Sequence, residues 1–464
     1  IGNDALANNT SGTQVVALGF RALVSNTTGF RNTALGHRAL EANVTGFSNV
    51  AVGSDVLRQA TGSFNTGVGD NALSTTSTGQ YNTAIGNGAL QFNSTGSANT
   101  AMGIAALYNN TTGGSNLAIG NNTLENNSTG SNNIAIGGNA LRNATNAVSN
   151  LAIGFSALQN ATTGQLNVAI GTETGSYLTT GNANNLMGYF AGRELTTGNG
   201  NTANGNYAFI NATSATGNVA MGGVTLQGVI TGQGHVSLGQ GALQYNTDSV
   251  ATLSGFTPGS GYTDGTYTNV VLVPNNHNVY AIGGITANID VVGGVVTSLT
   301  IVSGLAVRVG SILEIYVPSA PAGLLTGSGF TATVATVNVT NNNVAVGRFA
   351  GRFNYTGSNN TFIGYQAGQN GNTTSGNVFL GYQAGLNETN SDRLYISNSS
   401  TSTPLIFGNF ASPLVRINGR FEISTYTPAN ASDTGTAGQI AWDNDYIYVC
   451  VATNTWKRVG ISTW

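Results

Sequence analysis

The sequence predicts an all-β fold: a parallel β-roll or β-solenoid rod of 17-residue repeats, homotrimeric, with an inserted antiparallel β domain and a C-terminal β cap. Three observations carry this expectation. The phrase "NTAIGNGAL" at 82–90 returns as "NTALGHRAL" at 32–40, "NTAMGIAAL" at 99–107 and "NLAIGFSAL" at 150–158. Only 7% of residues are charged and 66 of 464 are glycine, whereas charged residues ordinarily make up about a quarter of a globular chain. The rhythm stops over 247–340 and then resumes with its old spacing.

Residues 1–246 form the first repeat block. Its marker is the glycine closing each "A-I-G", at Gly2, Gly19, Gly36, Gly53, Gly69, Gly86 and onward to Gly239, always 17 residues apart except for one step of 16 between Gly53 and Gly69. A disordered tract needs no such register, so low charge here means repeated structure rather than disorder. The residue before the marker is large and apolar (Ile85, Met102, Ile119), and the one two before is usually Ala (Ala84, Ala101, Ala118). Leu stands four after the marker (Leu90, Leu107, Leu124) and Asn four before it (Asn82, Asn99, Asn116). "N-T-A-I-G" is too short for a helix and ends in a breaker, so it reads as a strand with alternating faces. Ile85 and Thr83 share one face. Asn82, Ala84 and Gly86 make a small, flat face suited to close approach by another chain. The Thr-Gly elements, as at Gly79, Gly96 and Gly113, read as turns using positive φ. A second short strand or loop carries the Leu.

One such unit cannot bury its own apolar side chains, so units must stack as parallel ladders about 4.8 Å apart. Stacking brings Ile onto Ile, Leu onto Leu and Asn onto Asn. Few large apolar side chains per rung make a thin core, which favours a homo-oligomer, and three chains suit a fibre axis.

Residues 247–340 read as an inserted β domain. "VVGGVVTSLTIV" (291–302) and "SILEIYVP" (311–318) read as strands, with Pro258, Pro274, Pro318 and Pro321 at its breaks. The repeats resume over 341–390, marked by Gly347, Gly364 and Gly381. A β connector spans 391–424, and 425–464 forms a C-terminal cap or tip that protects the last open strand edge.

The recurring "N-x-A-I-G-x-x-A-L" resembles the head repeats of trimeric autotransporter adhesins of the YadA type, over about 1–246 and 341–387. That resemblance implies a left-handed parallel β-roll formed by three chains; the repeat in those heads is shorter, so each coil here carries a longer turn. Similar repeats occur in bacteriophage tail fibres. Autotransporter adhesins end in a coiled-coil stalk and a barrel anchor, whereas neither heptads nor amphipathic barrel strands are read towards the end of these residues. "GQIAWDNDYIYVCVATNTWKRVGISTW" (438–464) instead resembles the terminal module of bacteriophage structural and fibre proteins, and "SGFTPGSGYTDGTYTNVVL" (254–272) a small β-module of phage structural proteins. The resemblance implies a virion surface location and other tail or baseplate proteins as partners.

Net charge is −3 with 14 Lys and Arg, which offers no basic footprint for nucleic acid or an anionic membrane. No window of 18 apolar residues predicts a membrane span. Ile1 falls within a repeat, so a preceding segment is expected. The single cysteine, Cys450, excludes an internal disulfide and reads as a small buried side chain in "YIYVCV".

Chemistry is sparse. No nucleophile elbow, P-loop, dinucleotide fingerprint or H-E-x-x-H zinc motif occurs. His37, His235 and His277 are far apart, and His37 and His235 differ in repeat phase, so no metal site and no cofactor are expected. Asp443 and Asp445 in "WDND" read as a hairpin turn. Glu173 and Glu194 do not stack in register, against what a glycosidase pair requires. The sequons at Asn26, Asn43, Asn93, Asn143, Asn160 and Asn211 follow from the "N-x-T-G" turn. Aromatic residues are the candidates for receptor contact: Tyr262, Tyr267 and Tyr280 in the insert, and Trp442, Tyr446 and Trp456 in the terminal module. Phe256 and Tyr316 belong to the same insert set. The expectation is a non-enzymatic structural and adhesive fibre that presents these surfaces to a host glycan or protein. The alternatives are a bacterial surface adhesin or extracellular filament and, further off, a tailspike depolymerase.

Overall fold

A computed structural model describes residues 1–247, 249–274, 285–303, 312–315, 328–422 and 425–463. Its described regular structure is entirely β. Fourteen three-residue strands, from Val16–Leu18 to Val236–Leu238, each pair in parallel with the next. Pairing joins like with like: Thr83 to Thr100, Ala84 to Ala101 and Ile85 to Met102. Each rung of this solenoid is thus one repeat, and a single chain completes its own ladder. The 16-residue step leaves the register intact, with Val50 opposite Thr66 and Val52 opposite Val68. The missing residue comes out of the turn before Gly62, where Ala60 replaces the usual Asn.

The expected facing of the strand is reversed. Ala84 and its equivalents are fully buried, whereas Ile85 and Met102 are 38% and 40% exposed. The interior has room per rung for little more than two alanines and one leucine, as in Ala84, Ala89 and Leu90, all at zero exposure. Small residues therefore line the inside, and the larger apolar residues form a half-exposed stripe along the outside. Where a rung puts a bulky residue at the strand centre, neighbouring leucines become glycine. A Cβ on Gly351 would meet the Phe362 ring at 2.6 Å, and one on Gly385 would meet Phe379 at 2.6 Å. Core volume is thereby conserved along the rod.

The leucine segment is no second strand. Leu90 has φ +52° and Leu107 +53°, a left-handed conformation unusual for a bulky residue. It persists because the amide of Leu90 donates to Ala106 O at 2.9 Å in the next rung and the side chain fills the core. The Thr-Gly glycines also differ from expectation. Gly79 is absent from the positive-φ set; instead, a Cβ there would lie 2.3 Å from Gly96 O. Glycine is needed for rung-to-rung approach rather than for chirality.

A ladder of buried asparagines runs from Asn32 to Asn218. At Asn133, Nδ2 donates to Asn116 Oδ1 at 3.1 Å and to Ala147 O at 2.8 Å, while Oδ1 accepts from the amide and Nδ2 of Asn150 at 3.1 and 3.2 Å. Both donors and both acceptor sites of the amide are used. A second set caps the turns, with Asn26, Asn43 and Asn93 each donating to the carbonyl three residues on. These three are buried, which leaves no room for a glycan on them.

The insert leaves the rod between adjacent rungs. Val236–Leu238 pairs in parallel with Val344–Val346, so cross-rung partners here lie 108 residues apart instead of 17. The insert forms a six-stranded antiparallel sheet spanning 249–338. Within it, Ile285–Val292 and Val295–Ser303 make a hairpin over Gly293 and Gly294, at φ +62° and +75°, the signature of a two-residue type I′ turn.

His235 takes the asparagine position in the rung where the insert departs. It is fully buried; Nδ1 accepts the Asn343 amide at 3.3 Å and Nε2 lies 3.0 Å from Thr340 O. Only the neutral Nε2–H tautomer satisfies both contacts. Burial lowers the His235 pKa from 6.5 to about 4. A depressed histidine pKa favours folding while the ring is neutral, so its contribution is complete above pH 6.5 and is lost as pH falls towards 4. A shift of that size corresponds to about 3 kcal/mol. Native protein is expected to lose thermal stability between pH 6.5 and 4 beyond the loss shown by His235→Asn; equal pH profiles for the two would refute this role.

After Val378–Leu380, the strand Arg393–Ile396 continues the parallel ladder and then pairs antiparallel with Ile406–Asn409, which pairs with Leu414–Ile417. This meander ends the ladder, yet its last strand is exposed throughout. The terminal module is a three-stranded sheet of Ile440–Trp442, Tyr446–Ala452 and Thr455–Gly460. Cys450 is buried in its core, as expected.

Candidate functional site

The rod segregates its chemistry. Of the charged side chains on its regular rungs, all but Arg31 fall within the seven positions after a marker glycine, on one flank of the coil. Near the N-terminal end, Arg21, Arg38 and Arg58 converge on buried Glu41, at 3.0, 2.8 and 3.1 Å. Stacking at a 17-residue period brings these residues together. Further along, Arg142 pairs with Glu125 at 2.6 Å.

Three aromatic arrays lie on the solenoid surface. Phe30, Phe47, Phe64 and Tyr81 follow one another with ring centroids 4.8, 4.9 and 4.9 Å apart, the outer pairs stacked and Phe47 edge-on to Phe64. A second array joins Tyr189, Phe190 and Tyr207, with Arg193 over the rings of Phe190 and Tyr177 at 4.7 and 5.4 Å. Arg193 also reaches Glu173 at 3.0 Å and Glu194 at 3.9 Å. The two carboxylates occupy different phases, as read from sequence, but one guanidinium links them.

The third array flanks the insertion point. Arg352 lies over the rings of Tyr245, Phe349 and Phe353 at 5.4, 4.8 and 5.0 Å, and Arg348 over Phe349 at 4.6 Å. Tyr365 and Tyr382 continue it as stacked, exposed rings 5.4 Å apart. Sequence reasoning missed all three arrays. Sorting residues by repeat phase would have found them, because Tyr365 and Tyr382 share one phase and Arg193 and Arg352 another.

The aromatic candidates named from sequence meet different fates. Tyr262 is 7% exposed in the insert core, and its hydroxyl accepts the Phe330 amide at 3.2 Å. Trp456 is 7% exposed and donates through Nε1 to Asp433 O at 3.1 Å. Both side chains are taken up in the packing of their own small sheets. Tyr267 is half-buried, and its hydroxyl donates to Thr263 O at 2.8 Å. Trp442 and Tyr446 are half-buried, and Arg458 covers the Tyr446 ring at 4.1 Å. Tyr280 lies outside the described residues, as do His277 and Tyr316; nothing of the Phe256 side chain is described. The structure does not gather these residues into one surface.

Asp443 anchors a turn: its Oδ1 accepts the amides of Asp445 and Tyr446 at 2.9 and 2.8 Å. The Tyr448 hydroxyl bonded to it, followed by the Asp445 amide, lowers its pKa to about 2. It is thus held as a carboxylate and has no proton to donate near neutrality. Among the described residues no group of three or more His, Cys, Asp or Glu is placed to hold a metal ion, and no helix is long and apolar enough to cross a membrane.

A repetitive rod with ring arrays and few ionisable groups defines a fibre-like β-solenoid. Two curated proteins resemble parts of it. A protein named "Depolymerase, capsule K30/K69-specific", from Klebsiella phage K64-1, is 50% identical over 42 residues, covering 9% of this chain and 6% of that protein. "Depolymerase 1, capsule K30/K69-specific", from Klebsiella phage K5-2, is 43% identical over 61 residues, covering 13% and 8%. The chain thus spans less than a tenth of the length of the curated relatives it matches. No family model and no solved structure matches. The relatives correct one expectation: a chain without enzymatic role does not stand when both partial relatives are named as depolymerases.

Proposed function

We propose that this chain is the β-solenoid portion of a bacteriophage tail fibre or tailspike directed at host capsular polysaccharide and belonging to the depolymerase class. The observation that carries the reading is the joint occurrence of the rod and the local matches to two phage depolymerases. The rod acts geometrically. A continuous hydrogen-bonded ladder is stiff, and a low-charge surface approaches an anionic cell envelope with little repulsion. The surface arrays supply saccharide-stacking rings.

Copies associate through the outer strand face, in this proposal as a homotrimer. The small inner face first expected to make that contact is buried within the chain. The outer stripe of Leu18, Ile85, Met102, Met221 and Ile363 is half-exposed, and the last strand of the meander, Leu414–Ile417, leaves an open apolar edge. Such surfaces seek partners.

Two measurements test the function. Cryo-electron microscopy of phage particles bearing the chain is expected to place the rod on the tail in symmetric copies; a rod rooted in a cell envelope would overturn the phage reading. The intact protein, incubated with purified capsular polysaccharides, is expected to release new reducing ends from at least one of them.

A further inference from the structure

We infer that the array at the insertion point, Arg348, Arg352, Tyr365 and Tyr382, binds acidic polysaccharide. This deepens the capsule-directed reading above and rests on it.

The inference begins with charge. Most other guanidinium groups on the rod are neutralised: Arg21, Arg38 and Arg58 by Glu41, Arg142 by Glu125, Arg193 by Glu173; Arg31, which bonds to Gln14, stands alone beside the single ring of Phe30. Among the described residues, Arg348 and Arg352 have no carboxylate partner. Arg352 instead bonds through Nε to the neutral Gln244 Oε1 at 2.9 Å, which fixes the guanidinium plane; among the described residues its terminal nitrogens pair with no carboxylate. Ring faces hold both groups in place. A guanidinium preorganised in this way loses little entropy on pairing with a carboxylate.

The second element is the stack beyond the arginines. Tyr365 and Tyr382 lie one and two rungs from Arg348 at the same phase, near-parallel at 12°, and both are exposed. They offer a chain of sugar rings successive apolar faces along the rod axis, with two positive charges at one end. A neutral glycan would leave those charges unpaired, and nucleic acid would require far more basic residues than this flank has. An extended polymer carrying carboxylates or other acidic groups fits both features. Because every copy of the rod repeats the site, weak individual contacts sum by multivalency.

The test is affinity electrophoresis of the intact protein through gels containing purified acidic capsular polysaccharides, each compared with its carboxyl-reduced form. Native protein is expected to be retarded by at least one acidic polymer and released by its reduction. Arg348→Glu combined with Arg352→Gln, and separately Tyr365→Ala combined with Tyr382→Ala, are expected to weaken retardation tenfold or more. A thermal melt within a few degrees of native confirms that each variant is folded; the single Arg348→Glu change, at an exposed position, carries the test if the double variant unfolds. Native-like retardation of folded variants overturns the site while leaving the fibre reading intact, since capsule is still bound elsewhere. Equal retardation by reduced and acidic polymers overturns the acidic class. No retardation by any acidic polymer overturns the inference, and the fibre reading is then decided separately by the position of the rod on the virion.

Discussion

Asn133→Asp is expected to destabilise the middle of the rod by about 5 kcal/mol at pH 7, although it changes one atom. Asn133 Nδ2 sits 2.8 Å from Ala147 O and 3.1 Å from Asn116 Oδ1, and both are acceptors. An aspartate oxygen there faces two oxygens in a fully buried site. Two buried acceptors lose their donors, at about 1–3 kcal/mol each, and a charge is placed where no water reaches it. The new carboxyl must therefore have a raised pKa. Protonation restores one donor, so the defect should shrink as pH falls towards 4.5, opposite in sign to the His235 effect. Asn132→Asp is the control: Asn132 is exposed, and its φ of +61° suits Asp. That change should cost less than about 0.5 kcal/mol. Because each rung contacts only its neighbours, the Asn133→Asp rod should open locally rather than melt as a whole. Limited proteolysis should cut it near rungs 116–150 at pH 7, and hydrogen exchange should show lost protection there. Uniform protection along the ladder would refute the account.

How much of this was legible in the sequence follows from what a repeat does and does not encode. The 17-residue interval set the register outright, because a slip by one residue would misalign every Asn, Ala and Leu at once. Alternation in "N-T-A-I-G" showed that the strand has two unlike faces, but not which one points inward. Burying the larger residue is the usual rule. It fails here because the interior of a short coil holds Ala84, Ala89, Leu90 and a column of asparagine amides and nothing wider. The ladder itself was visible as stacked Asn, whereas its four-bond saturation depends on the carbonyl of a glycine or alanine 14 residues on, which no linear motif displays. The site was less legible for a related reason. Aromatic residues were sought where they are dense in sequence, around Tyr262 and Trp456, and density there reflects packing of two small sheets. The arrays on the rod draw their residues from successive repeats, as Phe30, Phe47, Phe64 and Tyr81 or Tyr365 and Tyr382 do at 17-residue intervals, and become dense only once coiled.

Gly103→Ala should be comparably damaging, about 4 kcal/mol or more, for two separable reasons. Gly103 has φ +135°, a region in which a Cβ is strained by about 1–3 kcal/mol. That Cβ would also lie 2.4 Å from Gly120 O and 2.6 Å from Gly120 C. Those are backbone atoms of the next rung, so nothing can rotate aside; the rungs must part, which breaks the bond from the Gly120 amide to Met102 O at 2.7 Å. Comparison with other glycines separates the two causes. Gly200 has φ +65°, and a Cβ on it would meet nothing within 4 Å, so Gly200→Ala should carry only the left-handed penalty of about 1 kcal/mol. Gly200→Asn should cost less still, since Asn132 holds the same phase at φ +61°. Gly79→Ala lacks the φ penalty but meets Gly96 O at 2.3 Å, and so isolates the steric cause. Thermal melts of the four variants should rank Gly103→Ala lowest, then Gly79→Ala, Gly200→Ala and Gly200→Asn. If Gly79→Ala melts with Gly200→Asn, rung-to-rung contact is not what demands glycine, and the rod's spacing is held by its hydrogen bonds alone.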